Sequence, residues 1–103
     1  MTDNMTPPDD CTTMTEVRAG VDALDRDLVS LLARRFGYMR AAARIKPARE
    51  AVRDEGRKAE VIANAVAEAR RHDLPAHIVA AMWETLVEGS IAYELAEWDE
   101  TRA

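Results

Sequence analysis

Apolar and polar residues alternate along the first half of the chain with the period of a helix. Between Glu16 and Lys46, apolar or small residues recur at steps of three and four, with one member missing after Leu31, at Val21, Leu24, Leu28, Leu31, Tyr38, Ala42 and Ile45. This spacing is typical of a helix that packs along another helix. No proline interrupts the stretch, so the pattern predicts one continuous helix of about 31 residues, roughly 46 Å long.

Residues with known preferences for helix ends bound this helix. Thr13 and Glu16 match a capping box, so the helix should begin at Thr13 or Thr15. It should end at Lys46, because Pro47 disfavours the helical conformation in the residue before it.

Two further helices are predicted in the same way. Asp54 suits the N-cap of a second helix that runs to about Arg71, after a loop over residues 47–53. Pro75 suits the first turn of a third helix from about Ala76 to Glu100. The prediction is an all-α fold with three helices of unequal length.

The composition agrees with one small soluble helical domain. The chain has 103 residues, of which 48% are hydrophobic and only 5% aromatic. We expect a flexible polar lead over residues 1–12 and a single domain over residues 13–103. Because a helix of about 46 Å overhangs a globule whose radius of gyration is about 13 Å, we also expect a homodimer that covers the overhanging apolar face.

Charge and rare residues exclude several functions. The net charge of -5 argues against binding to a nucleic-acid backbone or an anionic membrane. A single cysteine, Cys11, and only two histidines argue against a disulfide and a metal site. We find neither a leader peptide nor an apolar run long enough to span a membrane, so the expected location is cytoplasmic.

The apolar pattern of the long helix has one exception, at Arg35. A cation among core positions must be paired or must bind a ligand. Lys46 shares its face about 16 Å further along, so the two side chains could hold one small anion between them. Arg18 lies about 25 Å from Arg35 on another face and could reach that anion only from a partner subunit. Alternatively, the three cations are solvated surface residues.

A second exception lies in the third helix. Trp83, Val87, Ile91 and Trp98 form one apolar face that is typical of a core, and Glu94 falls within it. Glu94 either turns to solvent, or it is buried, holds its proton near neutral pH and can donate a hydrogen bond.

The chain resembles a known family between about Asp9 and Trp98. The densest part is Glu16-Val-Arg-Ala-Gly-Val-Asp-Ala-Leu-Asp25, followed by Leu31-Leu-Ala-Arg-Arg35 and by Lys46. It resembles the all-helical (AroQ-class) chorismate mutases and their relatives, the isochorismate-pyruvate lyases. The resemblance implies an intertwined homodimer of three-helix subunits that acts on a dianionic small molecule without a cofactor.

The resemblance also implies roles for the matching residues. Arg18 would be given in trans to the neighbouring site, and Arg35 would bind a substrate carboxylate. Lys46 would contact a carboxylate and the ether oxygen of the breaking bond, and Glu94 would face that oxygen. Other positions that match the substrate site are Asp54, Arg57, Val87, Ser90 and Ile91.

The favoured function is therefore chorismate mutase, with activity that falls as the pH rises and Glu94 loses its proton. Two features resemble the lyases instead, namely the Pro8–Thr12 lead and Lys58, which stands where mutases have a glutamate for the ring hydroxyl. Gly89 and Ser90, in contrast, resemble the mutases. The alternatives are an isochorismate-pyruvate lyase with side mutase activity and a non-catalytic helical dimerisation or regulatory module.

Overall fold

The computed structural model of the protein describes residues 5–103. Its elements in chain order are a single 3-10 turn at Pro8–Asp10, helix α1 (Met14–Ile45), a second 3-10 turn at Arg49–Ala51, helix α2 (Glu55–Arg71) and helix α3 (Ala76–Thr101). The described part of the chain contains no strand, and the predicted all-α fold is confirmed. Positions 1–4 of the predicted flexible lead lie outside the described residues, and its flexibility stays a prediction.

The start of α1 is fixed by the predicted capping box. The Thr13 amide donates to Glu16 Oε1 at 3.0 Å, and the Glu16 amide donates to Thr13 Oγ1 at 3.2 Å. Glu16 also accepts hydrogen bonds from the Thr12 amide and the Thr6 hydroxyl. These hydrogen bonds, that of Thr12 above all, lower the pKa of Glu16 to about 2. The last residues of the lead are therefore tied to the first turn of α1.

The other helix ends also follow local signals. Helix α1 ends one residue before the predicted Lys46 and two before Pro47. Asp54 is the N-cap of α2 as predicted, since its Oδ1 accepts the Arg57 amide at 3.0 Å.

The connection between α2 and α3 is a tight helix ending that we did not predict. Asp73 has a positive φ of 56°, in the left-handed region. The Leu74 amide donates to the Ala69 carbonyl at 2.8 Å, and the Asp73 amide donates to the Arg70 carbonyl at 3.2 Å. This is the Schellman pattern, which satisfies the last carbonyls of α2 and turns the chain into α3.

The chain divides into two compact units, Met1–Gly37 and Tyr38–Ala103. In the second unit, α2 packs on α3. The buried core consists of Val52, Val87 and Ile91, and the residues packed against it are Val61, Ile62, Trp83, Leu95 and Trp98. The apolar face predicted for the third helix is therefore confirmed as core.

The first unit leaves apolar side chains of α1 in contact with solvent. Those more than a third exposed include Val17, Val21, Leu24, Leu28, Val29, Leu31 and Leu32. Along residues 5–103, no helix combines the length and the apolar character that crossing a membrane requires.

Candidate active site

An ion pair joins the residue that follows α1 to the middle of α3. The Lys46 Nζ lies 2.7 Å from Glu94 Oε2, and the two side chains are 30% and 5% exposed respectively. The same Nζ donates to the Val52 carbonyl at 3.4 Å. The contact with Glu94 lacks good hydrogen-bond angles, so Oε2 accepts no aligned hydrogen bond from the described residues. The two residues predicted as catalytic are thus brought together.

The surroundings of Glu94 decide between the two environments left open by the sequence. Glu94 is buried, with 4% of its surface exposed. Val87 and Ile91 lie on the same face of α3, about two turns and one turn before it, and both belong to the buried core. Ser90 is buried as well, and its hydroxyl donates to the Leu86 carbonyl at 2.7 Å. Glu94 is therefore a carboxylate in an apolar wall.

This arrangement makes Lys46 the accessible member of the pair. An ammonium that is partly exposed can reach a ligand, whereas the buried Glu94 needs a partner to offset the loss of its hydration. An anionic ligand at this place must compete with Glu94 for the Lys46 ammonium. The pair can offer one mobile cationic donor at the edge of an apolar surface.

Asp54 and Arg57 make their hydrogen bonds along α2. Asp54 caps the helix, and the exposed Arg57 guanidinium pairs with Glu60 one turn further on. Neither residue is hydrogen-bonded to the pair of Lys46 and Glu94, and their predicted contact with a substrate stays a prediction.

Arg18 and Arg35 lie in the first unit, on α1. Arg18 is exposed, whereas Arg35 is half-buried, which differs from a fully solvated surface cation. Their predicted roles as ligands of substrate carboxylates stay predictions.

Lys58 is held by two carboxylates that the sequence did not single out. Its Nζ lies 2.7 Å from Glu84 Oε2 and 2.7 Å from Glu88 Oε2. Glu88 also pairs with Arg53, and Arg53 and then Lys58 lower the pKa of Glu88 to about 2. The hydrogen bonds that Lys58 donates to the carboxylates of Glu84 and Glu88 raise the pKa of Lys58. At the position of the mutase glutamate, the chain thus carries a cation already balanced by α3.

Trp98 of α3 and Arg102, the residue that follows α3, contact the chain at the end of α1, and neither contact was predicted. The Trp98 Nε1 donates to the Lys46 carbonyl at 3.1 Å, and the Arg102 Nη2 donates to the same oxygen at 2.9 Å. Their four-residue spacing from Glu94 is a signal that could have placed all three on one face. Nothing in the sequence shows that this face meets the end of α1.

Comparison with known proteins identifies the family. Residues 17–95 match the family model described as chorismate mutase type II. The chain belongs to the chorismate mutase type II family. This type II chain is also 31% identical over 98 residues to an isochorismate pyruvate lyase of Pseudomonas aeruginosa, an alignment that covers 95% of this chain and 97% of that protein. The resemblance found in the sequence is confirmed.

Membership of the type II family places the chain among enzymes that act on chorismate-like small molecules. The matched residues include both members of the Lys46 and Glu94 pair. Mutase and lyase are both named among the proteins that it resembles.

Proposed function

We propose that this type II chain is a chorismate mutase that rearranges chorismate to prephenate. The observation that carries the proposal is the Lys46–Glu94 pair beside the apolar wall of Val87 and Ile91. The reaction is an intramolecular pericyclic step, so it needs no nucleophile, metal or cofactor. The enzyme must hold the enolpyruvyl arm over the ring and stabilise the charge that grows on the ether oxygen.

Lys46 is the proposed donor to the ether oxygen. Its side chain is 30% exposed, so the ammonium can leave Glu94 for a bound dianion without first being extracted from the core. An ammonium beside an apolar wall interacts strongly with developing negative charge, because the wall excludes water from one side of it.

Glu94 is the proposed second donor, and it can donate only when protonated. When the Lys46 ammonium binds the substrate dianion instead of Glu94, an ionised Glu94 would be a buried carboxylate beside two negative charges. In its protonated form, Glu94 would instead donate to the ether oxygen beside Lys46.

The remaining proposed contacts involve a second subunit. We propose an intertwined homodimer in which Arg18 of one chain and Arg35 of the other bind the substrate carboxylates, since guanidinium groups bind carboxylates with two parallel hydrogen bonds. The exposed apolar residues of α1 in the first unit support this assembly. Asp54, Arg57 and Ser90 complete the proposed site, and the cytoplasmic location stays a prediction.

The decisive experiment offers chorismate to the purified wild-type chain and follows prephenate. The Lys46→Gln variant should lose about 100- to 1000-fold in kcat, because removing one preorganised anion stabiliser costs about 3 to 4 kcal/mol. The control is Arg71→Ala, since Arg71 is exposed and pairs with Glu68 one turn before it. Absence of prephenate with wild type, or unchanged kcat in Lys46→Gln, contradicts the proposal.

Isochorismate-pyruvate lyase is the second candidate. The Pseudomonas aeruginosa relative has that name, and its alignment with this chain covers nearly the whole of both proteins. In addition, Lys58 departs from the mutase pattern. Isochorismate is therefore offered in a separate assay that follows salicylate and pyruvate. Salicylate formation without prephenate would favour the lyase, and no turnover of either substrate would favour the non-catalytic module.

A further inference from the structure

The last carbonyls of α1 have partners outside the helix. The final four carbonyl groups of any helix lack hydrogen bonds within it. Here the Arg102 Nη1 donates to the Ala43 carbonyl at 3.0 Å, and its Nη2 donates to the carbonyl of Lys46, just past the helix end, at 2.9 Å. One guanidinium thus spans the C-terminal end of α1.

The Arg102 guanidinium is itself held in place by Trp98. Its central carbon lies 4.3 Å from the centroid of the Trp98 ring, which is within the range of a cation–π interaction. The indole Nε1 of Trp98 donates to the Lys46 carbonyl at 3.1 Å, so this oxygen accepts from both residues. The two side chains thus contact each other and donate to the same Lys46 oxygen.

Side chains of α3 and of the residue after it therefore bind both the ammonium and the backbone carbonyl of Lys46. Glu94 binds the ammonium, whereas the carbonyl accepts from Trp98, one turn further along α3, and from Arg102, the residue that follows α3. An ion pair alone leaves the lysine backbone free to shift, and helix ends fray readily. Fixing the carbonyl removes that freedom and fixes the point from which the side chain starts.

We propose that Trp98 and Arg102 are positioning residues for Lys46 in the reaction. This inference rests on the proposed function, in which the Lys46 ammonium acts on the ether oxygen. Loss of Trp98 or Arg102 should mainly lower kcat. A small displacement of the Lys46 ammonium weakens stabilisation of the transition state more than it weakens binding of the substrate.

The test compares steady-state kinetics of wild type, Arg102→Ala and Trp98→Phe with whichever substrate wild type turns over. Phenylalanine keeps an aromatic ring beneath Arg102 but cannot donate to the Lys46 carbonyl. We expect each variant to lose about 10-fold in kcat with KM changed less than about threefold. Arg102→Lys should recover part of the loss, since an ammonium keeps the cation over the ring but lacks the planar fork.

The matched control is Arg49→Ala. Arg49 lies in the loop between Lys46 and α2, and its Nε and Nη2 donate to the Asp99 carboxylate of α3 at 2.8 and 3.1 Å. It makes no hydrogen bond to the Lys46 carbonyl. Both side chains of that pair are about half exposed, so its removal should change kcat less than about twofold.

A second measurement separates positioning from a general loss of stability. If Arg102 acts through Lys46, adding Arg102→Ala to Lys46→Gln should reduce kcat by less than about twofold, although Tm still falls. A full further 10-fold loss would contradict the inference. If Arg102→Ala does not fold, Trp98→Phe decides by the same comparison.

The outcomes distinguish this inference from the function on which it rests. An active wild type whose kcat is unchanged in both Arg102→Ala and Trp98→Phe, assayed well below their Tm values, overturns the inference alone. A wild type that turns over neither chorismate nor isochorismate overturns the proposed function and the inference with it.

Discussion

At the scale of single residues, Ser90 and Glu94 are buried polar side chains with different partners. Ser90 donates to a carbonyl of its own helix, which any packing of α3 would allow. Glu94 depends on Lys46, a residue 48 positions earlier. A buried carboxylate with one ionic partner stabilises a fold less than an apolar residue of similar size often does. Its presence is better explained by chemistry than by packing.

The first residue-scale prediction concerns Glu94→Gln. In wild type, kcat should fall as the pH rises, because only protonated Glu94 donates to the ether oxygen. A glutamine amide donates at every pH, so the variant should lose this decline. The measurement is a pH–rate profile of both proteins, with Tm recorded at each pH to exclude unfolding. An equally steep decline in Glu94→Gln removes Glu94 from the mechanism.

The second residue-scale prediction concerns Glu88 and acid stability. Arg53 and then Lys58 lower the pKa of Glu88 from 4.5 to about 2, so the folded state binds fewer protons than the unfolded state between these values. The stabilisation is therefore complete above about pH 4.5 and is lost as the pH falls toward 2. Urea unfolding of Glu88→Gln should show a shallower loss of stability over this range than wild type. Parallel curves would show that the carboxylate contributes nothing.

From the sequence, residues with a local or family signal could be singled out as candidates, and their roles in a site stay predictions. Arg35 and Glu94 each interrupt an apolar pattern, and Lys46 belongs to the quoted motif. The partners of Lys58 could not be predicted in this way. Glu84 and Glu88 are charged residues on α3 like several others, and only the packing of α2 on α3 shows that they face Lys58.

At the scale of elements, the helix boundaries followed from short-range chemistry. The Thr13 capping box, the Asp54 N-cap and the proline after Lys46 each act within four residues, so their effect is visible before any packing is known. The Arg102 contacts with the end of α1 join residues more than fifty positions apart, and the sequence carries no sign of them.

The element-scale prediction concerns the ending of α2. Asp73 has a φ of 56°, which strains any residue with a Cβ, and its carboxylate lies near the negative end of the helix dipole. Asp73→Gly should raise the unfolding free energy by about 0.5 to 1 kcal/mol, measured by urea unfolding. Asp73→Asn removes the charge but keeps a side chain, so it should account for only part of the gain. Lower stability of the glycine variant would contradict this account.

At the scale of the whole molecule, the cluster of buried apolar residues lies in the second unit. The second unit buries Val52, Val87 and Ile91 between its elements. The first unit exposes a row of apolar side chains along α1, among them Leu24 and Leu28, 53% and 55% exposed. Contiguous apolar surface of this kind marks an interaction site more often than a free surface. The length of the helix predicted this need for cover from sequence alone.

The molecular-scale prediction is that this surface forms the homodimer and that both chains build each site. Leu28→Lys should shift the protein toward monomer in sedimentation velocity and reduce its activity, because a buried lysine opposes the contact. A variant that stays dimeric and active would show that α1 does not pair through Leu28.

Subunit mixing tests the shared site without disturbing the interface. A chain with Arg18→Ala keeps Lys46 in its own site. A chain with Lys46→Gln keeps Arg18, which would act in the site of its partner. In a heterodimer of the two, one site combines both intact residues and the other has neither. If the chains pair at random, half of the dimers are mixed, so about a quarter of the wild-type activity should return although each parent is nearly inactive. If Arg18 instead serves the site of its own chain, every site in every dimer lacks one residue, and refolding the two variants together recovers nothing.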